Sequence, residues 1–458
     1  MKSKLTLLAA IILLAALRSA WASEAGMAIG QPELIQPSGT APSGTVVLFS
    51  DAGGWGSFER SAAAALAGRG FAVIGIDLPA TLQRIEAHGV ACATLIGEIE
   101  AVSHRMQRQA GAAAYHFPVL AGSGAGGTAA LAVAGQAAAA TIAGAVAVNP
   151  APALLPSIHA VLCDGHGRPG TDRLNESAYL LQPAPLPYAV VLRTAQGASP
   201  ATRDYVRQLG TGRQDVSSAD SNQAPLDALL AGIMRAGQQP GGDALADLPL
   251  IELPPASLPA AQPAADTLAV LYSGDGGWRD LDKDVAALLQ REGMPVVGVD
   301  VLRYFWTRRS PEQGAHDLAR IIGAYRAKWQ ADKVVLIGYS FGADVLPAIY
   351  NRLPPETRQH VVQLSLLGFS SAARFEVSIA GWLGRERGET MQTLPETARI
   401  DPHLLQCFYG ADDEAAACRQ LKNPGVEIIR TTGGHHFDGD YEALARRILL
   451  GARQRSTP

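Results

Sequence analysis

Four cysteines are too few to scaffold 458 residues, so a disulfide-built fold is excluded. Charge of one sign is also lacking. The 38 Lys and Arg stand against 42 Asp and Glu, a net −4 with no basic run, which argues against a nucleic-acid partner. No apolar run reaches the roughly 20 residues that a membrane-spanning helix needs. What is present excludes disorder, since 48% of the residues are apolar. At roughly 150 residues per domain, the length allows two or three domains, each with its own core.

The N-terminus predicts export. Lys2 and Lys4 precede Leu5–Leu17, in which only Thr6 is polar, and Ala20-Trp21-Ala22 follows with small residues at the two positions a signal peptidase reads. This pattern predicts a signal peptide cleaved after Ala22 and a periplasmic mature protein. An anchor helix is the alternative; the shortness of the run and the cleavage pattern favour removal. In an oxidising compartment the cysteines become interpretable as two intradomain disulfides, Cys407 with Cys418 and Cys92 with Cys163. Four buried free thiols are the other reading.

The chain contains itself twice. Val46–Asp77 aligns without a gap on Ala269–Asp300, with 13 identities in 32 positions. The unit is too long for a solenoid and reads as domain duplication. Between the copies, residues 239–265 are rich in Pro and Ala and read as a semi-extended linker. The expected organisation is a signal peptide (1–22), a first domain (23–238), the linker, and a second domain (266–458). In both halves apolar β-rich runs alternate with helical spacing, as in Leu268–Tyr272, Leu281–Arg291, Pro295–Val299 and Lys333–Ile337. That alternation predicts an α/β fold with a parallel, doubly wound sheet. Helices are expected after the strands Leu404–Tyr409 and Val426–Ile429. Residues 370–400, with Trp382 and Leu383, break the pattern and read as a lid.

The sharpest motif is Gly338-Tyr339-Ser340-Phe341-Gly342. A G-x-S-x-G elbow places Ser in a strained turn between strand and helix, and here it follows an apolar strand and opens a helix. The order Ser, acid, His then has candidates in Gly410-Ala-Asp412-Asp413 and Gly433-Gly-His435-His436. Asp413 and His435 are favoured, with Asp412 and His436 as alternatives. A metal site of His435, His436, Asp438 and Asp440 is disfavoured, because adjacent His point apart. An oxyanion needs the N–H of Phe341 and a donor from Ser273-Gly274-Asp275-Gly276-Gly277-Trp278. Asp275 is an odd neighbour for an oxyanion and suits a cationic group on the substrate. Trp278 is either a wall of the site or core.

The first half lacks these groups. Its elbow, Gly122-Ser123-Gly124-Ala125-Gly126, has Gly124 where the second half has Ser340, and no Asp loop or closing His follows. Gly122, Gly124 and Gly127 also satisfy G-x-G-x-x-G, but the next strand ends in Asn149-Pro150 without the acid a ribose would need. No nucleotide and no cofactor is expected. The expectation is two tandem α/β-hydrolase-like domains, the first catalytically degenerate.

The Ser273–Trp278 loop, the Gly338–Gly342 elbow, Cys407-Phe-Tyr-Gly-Ala-Asp-Asp413 and Gly434-His-His-Phe-Asp-Gly-Asp440 together resemble the VirJ/AcvB family of bacterial virulence-associated periplasmic proteins. The first half resembles the degenerate N-terminal domain of the longer members. The resemblance implies an α/β-hydrolase that cleaves aminoacyl-phosphatidylglycerol, such as lysyl- or alanyl-phosphatidylglycerol, at a membrane surface. It implies Ser340 as nucleophile, His435 or His436 as base and Asp413 as orienting acid. Rival readings are a non-catalytic binding or chaperone factor for exported proteins and a general esterase or thioesterase.

Overall fold

The computed structural model describes residues 28–39, 41–137, 140–152, 154, 158, 161–164, 186, 188–211, 216–220, 222–236, 245, 247–255, 266–377 and 389–456. The expected signal peptide, and Trp382 and Leu383 of the expected lid, lie outside these residues. Two units are present, one running to Pro240 and one from Gly241.

In the first unit the strands are β1 (Glu33–Ile35), β2 (Gly44–Phe49), β3 (Phe71–Ile76), β4 (Val119–Ser123), β5 (Gly144–Val148), β6 (Ala189–Thr194) and β7 (Val216–Asp220). They form one seven-stranded sheet in the order β1-β3-β2-β4-β5-β6-β7. The pairs from β3 to β7 are parallel, and only β1 is antiparallel, on the edge of β3. Central strands such as Gly44-Thr-Val-Val-Leu-Phe49 are buried at every position, because helices cover both faces of a parallel sheet. The two faces carry separate apolar clusters, one around Val47, Ile74 and Leu131 and one around Val46, Leu48 and Leu229.

The second unit repeats this plan. Its strands are β8 (Leu250–Leu253), β9 (Thr267–Tyr272), β10 (Val296–Val299), β11 (Lys333–Tyr339), β12 (Val361–Leu367), β15 (Leu405–Gly410) and β16 (Glu427–Thr431). The order β8-β10-β9-β11-β12-β15-β16 is that of the first sheet, strand for strand. A pair of two-residue strands, β13 (Ala372–Ala373) and β14 (Met391–Gln392), flanks the segment read as a lid, and a short helix, Thr393–Thr397, follows. The fold is α/β, with two tandem domains of α/β-hydrolase plan.

Two expectations need correction. The stretch read as a linker contains β8, antiparallel on the outer edge of β10. Its apolar residues, Leu250, Ile251 and Leu253, cover an edge that would otherwise expose unpaired backbone groups. Glu252 accepts from the Tyr325 hydroxyl (2.6 Å) and from Lys328 Nζ (2.7 Å). Pro254 and Pro255, which lack N–H groups, follow the strand. The helix expected after β15 is only a 3₁₀ turn, Ala417–Gln420. A disulfide between Cys407 on β15 and Cys418 in that turn closes the loop after 11 residues and leaves no length for a helix. Cys92 and Cys163 are also joined, and no cysteine is free.

Candidate functional site

The site forms at the carboxyl ends of β11, β15 and β16, where an open α/β sheet presents its loops. Ser340 ends β11 and precedes the helix Phe341–Asn351, with φ 51° and ψ −117°. A non-glycine residue is held at such angles only when its surroundings over-determine them. They do so here. The Ser340 N–H donates to Leu367 O (2.8 Å), and its carbonyl accepts from Asp344 N–H (3.0 Å). Gly338 and Gly342 let strand and helix meet: a Cβ at 342 would lie 2.4 Å from the Tyr272 carbonyl oxygen.

Ser340 Oγ lies 2.9 Å from His435 Nε2. The other ring nitrogen, Nδ1, lies 2.9 Å from Asp413 Oδ2. A carboxylate only accepts, so the Nδ1 proton is fixed there and Nε2 is left to accept from the serine hydroxyl. The Asp413 side chain is 8% exposed, and its second oxygen accepts from Ala415 N–H (3.2 Å). Arg419 braces the acid loop through the carbonyls of Asp413 and Ala411. The acid and histidine loops are laced together by Asp412 N–H donating to Gly433 O (2.8 Å).

Of the four acid and base candidates, the structure brings Asp413 and His435 to Ser340. Asp412 is exposed, its backbone used as lacing. His436 turns away from the serine; its Nδ1 lies 2.9 Å from the Tyr339 hydroxyl. Among the described residues no three His, Cys, Asp or Glu converge as metal ligands do.

The loop residues separate as well. Phe341 N–H is the first of its helix, next to Ser340. Asp282 accepts from Arg279 N–H (3.2 Å), and the Gly276 carbonyl accepts from Arg279 Nε (3.0 Å). Asp275 is half-buried at the mouth of the site. Trp278 is not a wall of it: the ring is 2% exposed and lies flat over Gly298, where a Cβ would stand 2.3 Å away.

Burial sets the electrostatics. It pushes the Asp282 carboxyl well above the usual range, against the opposing N–H of Arg279, with Asp300 raising it further. Burial also raises Asp344 to about 7, against the Ser370 N–H that its Oδ1 accepts at 2.7 Å. Asp344 thereby ties the helix after Ser340 to the chain leaving β12.

Two residues here escaped the sequence reading. Gly368, after β12, has φ 64°, and a Cβ there would stand 2.8 Å from His435 Cε1. The glycine makes room for the imidazole. Tyr339, inside the elbow motif itself, anchors the second histidine. A glycine after an apolar strand carried no signal of its own, since the chain has 48 glycines.

Part of the chain is similar to solved structures. Lipase BlEst2 from Bacillus licheniformis is 12% identical, covering 44% of this chain and 97% of its own, with a TM-score of 0.34. Est1E from Butyrivibrio proteoclasticus, bound to ferulic acid, is 12% identical over 46% of this chain and 96% of its own, with a TM-score of 0.32. The esterase domain of a Rhodothermus marinus protein is 16% identical over 45% and 90%, with a TM-score of 0.28. The fold stands on the strand order and not on these likenesses. No curated protein matches the chain in sequence. Residues 266–456 match the family model described as bacterial virulence protein (VirJ). The likeness to the VirJ family thus lies in the second half of this chain.

Proposed function

We propose that the protein is a periplasmic serine hydrolase that cleaves the aminoacyl ester of aminoacyl-phosphatidylglycerol. The observation that carries the hydrolase reading is the run Asp413–His435–Ser340, two contacts of 2.9 Å ending on a serine in an elbow. In the proposed reaction His435 Nε2 takes the Ser340 proton as Oγ attacks the ester carbonyl. Asp413 holds the ring and stabilises the imidazolium. The tetrahedral adduct collapses, the lipid oxygen leaves with the proton from His435, and the amino acid remains esterified to Ser340. Water, deprotonated by the same imidazole, then releases the amino acid.

The substrate rests on the family resemblance and on one local feature. Asp275 follows Gly274, whose position lies against Ser340, and an α-amino ester carries an ammonium group next to its carbonyl. A negative field there favours that group over a neutral acyl chain. The test is amino-acid release from vesicles containing lysyl- or alanyl-phosphatidylglycerol. Wild type should release the amino acid and Ser340→Ala should not. Hydrolysis of simple esters with no release from these vesicles would leave a general esterase and remove the lipid substrate.

A further inference from the structure

The first domain lost its serine, yet its elbow kept its shape. Gly124 sits at φ 59° and ψ −129°, close to the angles of Ser340, and its N–H donates to Val148 O (3.0 Å) as that of Ser340 does to Leu367 O. The loop facing it is also kept. Glu59 accepts from Asp51 N–H (3.1 Å) and Gly56 N–H (2.9 Å); in the second half Asp282, aligned with Glu59, accepts from Arg279 N–H (3.2 Å), aligned with Gly56. The same frame therefore holds both loops.

What fills the frame differs. Asp51 Oδ1 accepts from Ala52 N–H at 2.8 Å and from Ala125 N–H at 2.8 Å. Ala125 is the residue after the elbow position, aligned with Phe341, and Ala52 aligns with Asp275. Two backbone donors at this distance on one charged oxygen are the geometry of an oxyanion hole. The carboxylate also stands where a nucleophile would. A Cβ built at Gly124 lies 2.3 Å from Asp51 Oδ1. In the second half the pair is exchanged: Gly274 faces Ser340, and a Cβ built at Gly274 lies 3.7 Å from Ser340 Cβ.

We propose that the first domain keeps an intact oxyanion cradle, shut by its own Asp51 carboxylate, and that the N–H groups of Asp275 and Phe341 are the matching pair of donors in the second, where glycine stands at the position of Asp51. This inference rests on the serine-hydrolase reading for the role of the second cradle. It adds that loss of the nucleophile is not the only lock on the first domain. An acid at the loop position and a side chain at the elbow exclude each other, so position 51/274 decides whether the site is open.

The experiment moves the lock to the second half. Gly274→Asp supplies the acid, and Gly274→Ala is the control for added bulk, its Cβ meeting only the Tyr339 ring at 3.3 Å and Ser340 Cβ. Labelling of Ser340 by a fluorophosphonate should slow at least about 100-fold in Gly274→Asp and less than about tenfold in Gly274→Ala, both folded by circular dichroism. A crystal structure of Gly274→Asp should show the introduced carboxylate within about 3 Å of the N–H groups of Asp275 and Phe341. Equal labelling of the two variants, or a carboxylate pointing elsewhere, overturns the inference. Wild type that takes no label counts against the hydrolase reading alone, and the crystal structure then decides this one.

Discussion

The Tyr339 hydroxyl lies 2.9 Å from His436 Nδ1, while the adjacent His435 faces Ser340 and Asp413. Two neighbouring histidines are thus held by different partners, and the elbow's own second residue pins the loop that carries the base. His435→Ala should lower kcat/KM by at least about 10³. His436→Ala and Tyr339→Phe should each cost about tenfold or less, with kcat falling more than KM changes. Equal losses at His435 and His436 would contradict this division of roles.

Gly368 sits against the imidazole. Ala there adds a Cβ 2.8 Å from His435 Cε1 at a left-handed φ of 64°. Displacing the ring by even 1 Å costs on the order of 10² in rate. Gly368→Ala should therefore lower kcat/KM about 100-fold, while a control at the distant Gly323, where nothing lies within 4 Å of an added Cβ, should not. Steady-state kinetics of the two variants checks this.

The residues around Ser340 show what a sequence can and cannot reveal. Apolar runs followed by Gly-rich loops gave away the parallel strands, the elbow and the order Ser340, Asp413, His435, because burial and turn chemistry leave marks in composition. Strand β8 left none. Leu250–Leu253 is short, sits among prolines, and becomes a strand only because β10 offers it an edge. Trp278 was left between wall and core for a similar reason. Whether an indole faces solvent or Gly298 depends on a residue twenty positions away. Tertiary contacts settle such choices, and local pattern does not record them.

The two disulfides should contribute unequally. Cys92–Cys163 closes 71 residues and Cys407–Cys418 closes 11. Loop-closure entropy then gives roughly 4 and roughly 3 kcal/mol. Cys407→Ala with Cys418→Ala should also loosen the acid loop, because Cys418 sits in the 3₁₀ turn Ala417–Gln420 that follows Asp413 and is tied back to β15. Activity should fall more in that double variant than in Cys92→Ala with Cys163→Ala, measured beside urea midpoints. The opposite ranking of activities would show that the staple does not hold Asp413.

Asp344 makes stability depend on pH. Its carboxyl titrates at about 7 in the folded chain and near 4 when unfolded, so between about pH 4 and 7 the folded state binds more protons. Stability from this group is full below about pH 4 and is lost as pH rises through about 7. Asp344→Asn keeps an acceptor for Ser370 N–H and removes the titration. The variant should be the more stable of the two at pH 8, with a flatter profile from pH 5 to 8 by urea denaturation. Parallel profiles would show that Asp344 does not titrate in this window.

The central claim is that Ser340 is an activated nucleophile. It is tested most directly by fluorophosphonate labelling of the folded protein, with the modified residue located by peptide mass spectrometry. The account predicts one labelled site, Ser340, no label in Ser340→Ala, and unchanged labelling in Ser123→Ala. Label on another serine, or equal labelling of folded Ser340→Ala, would contradict it.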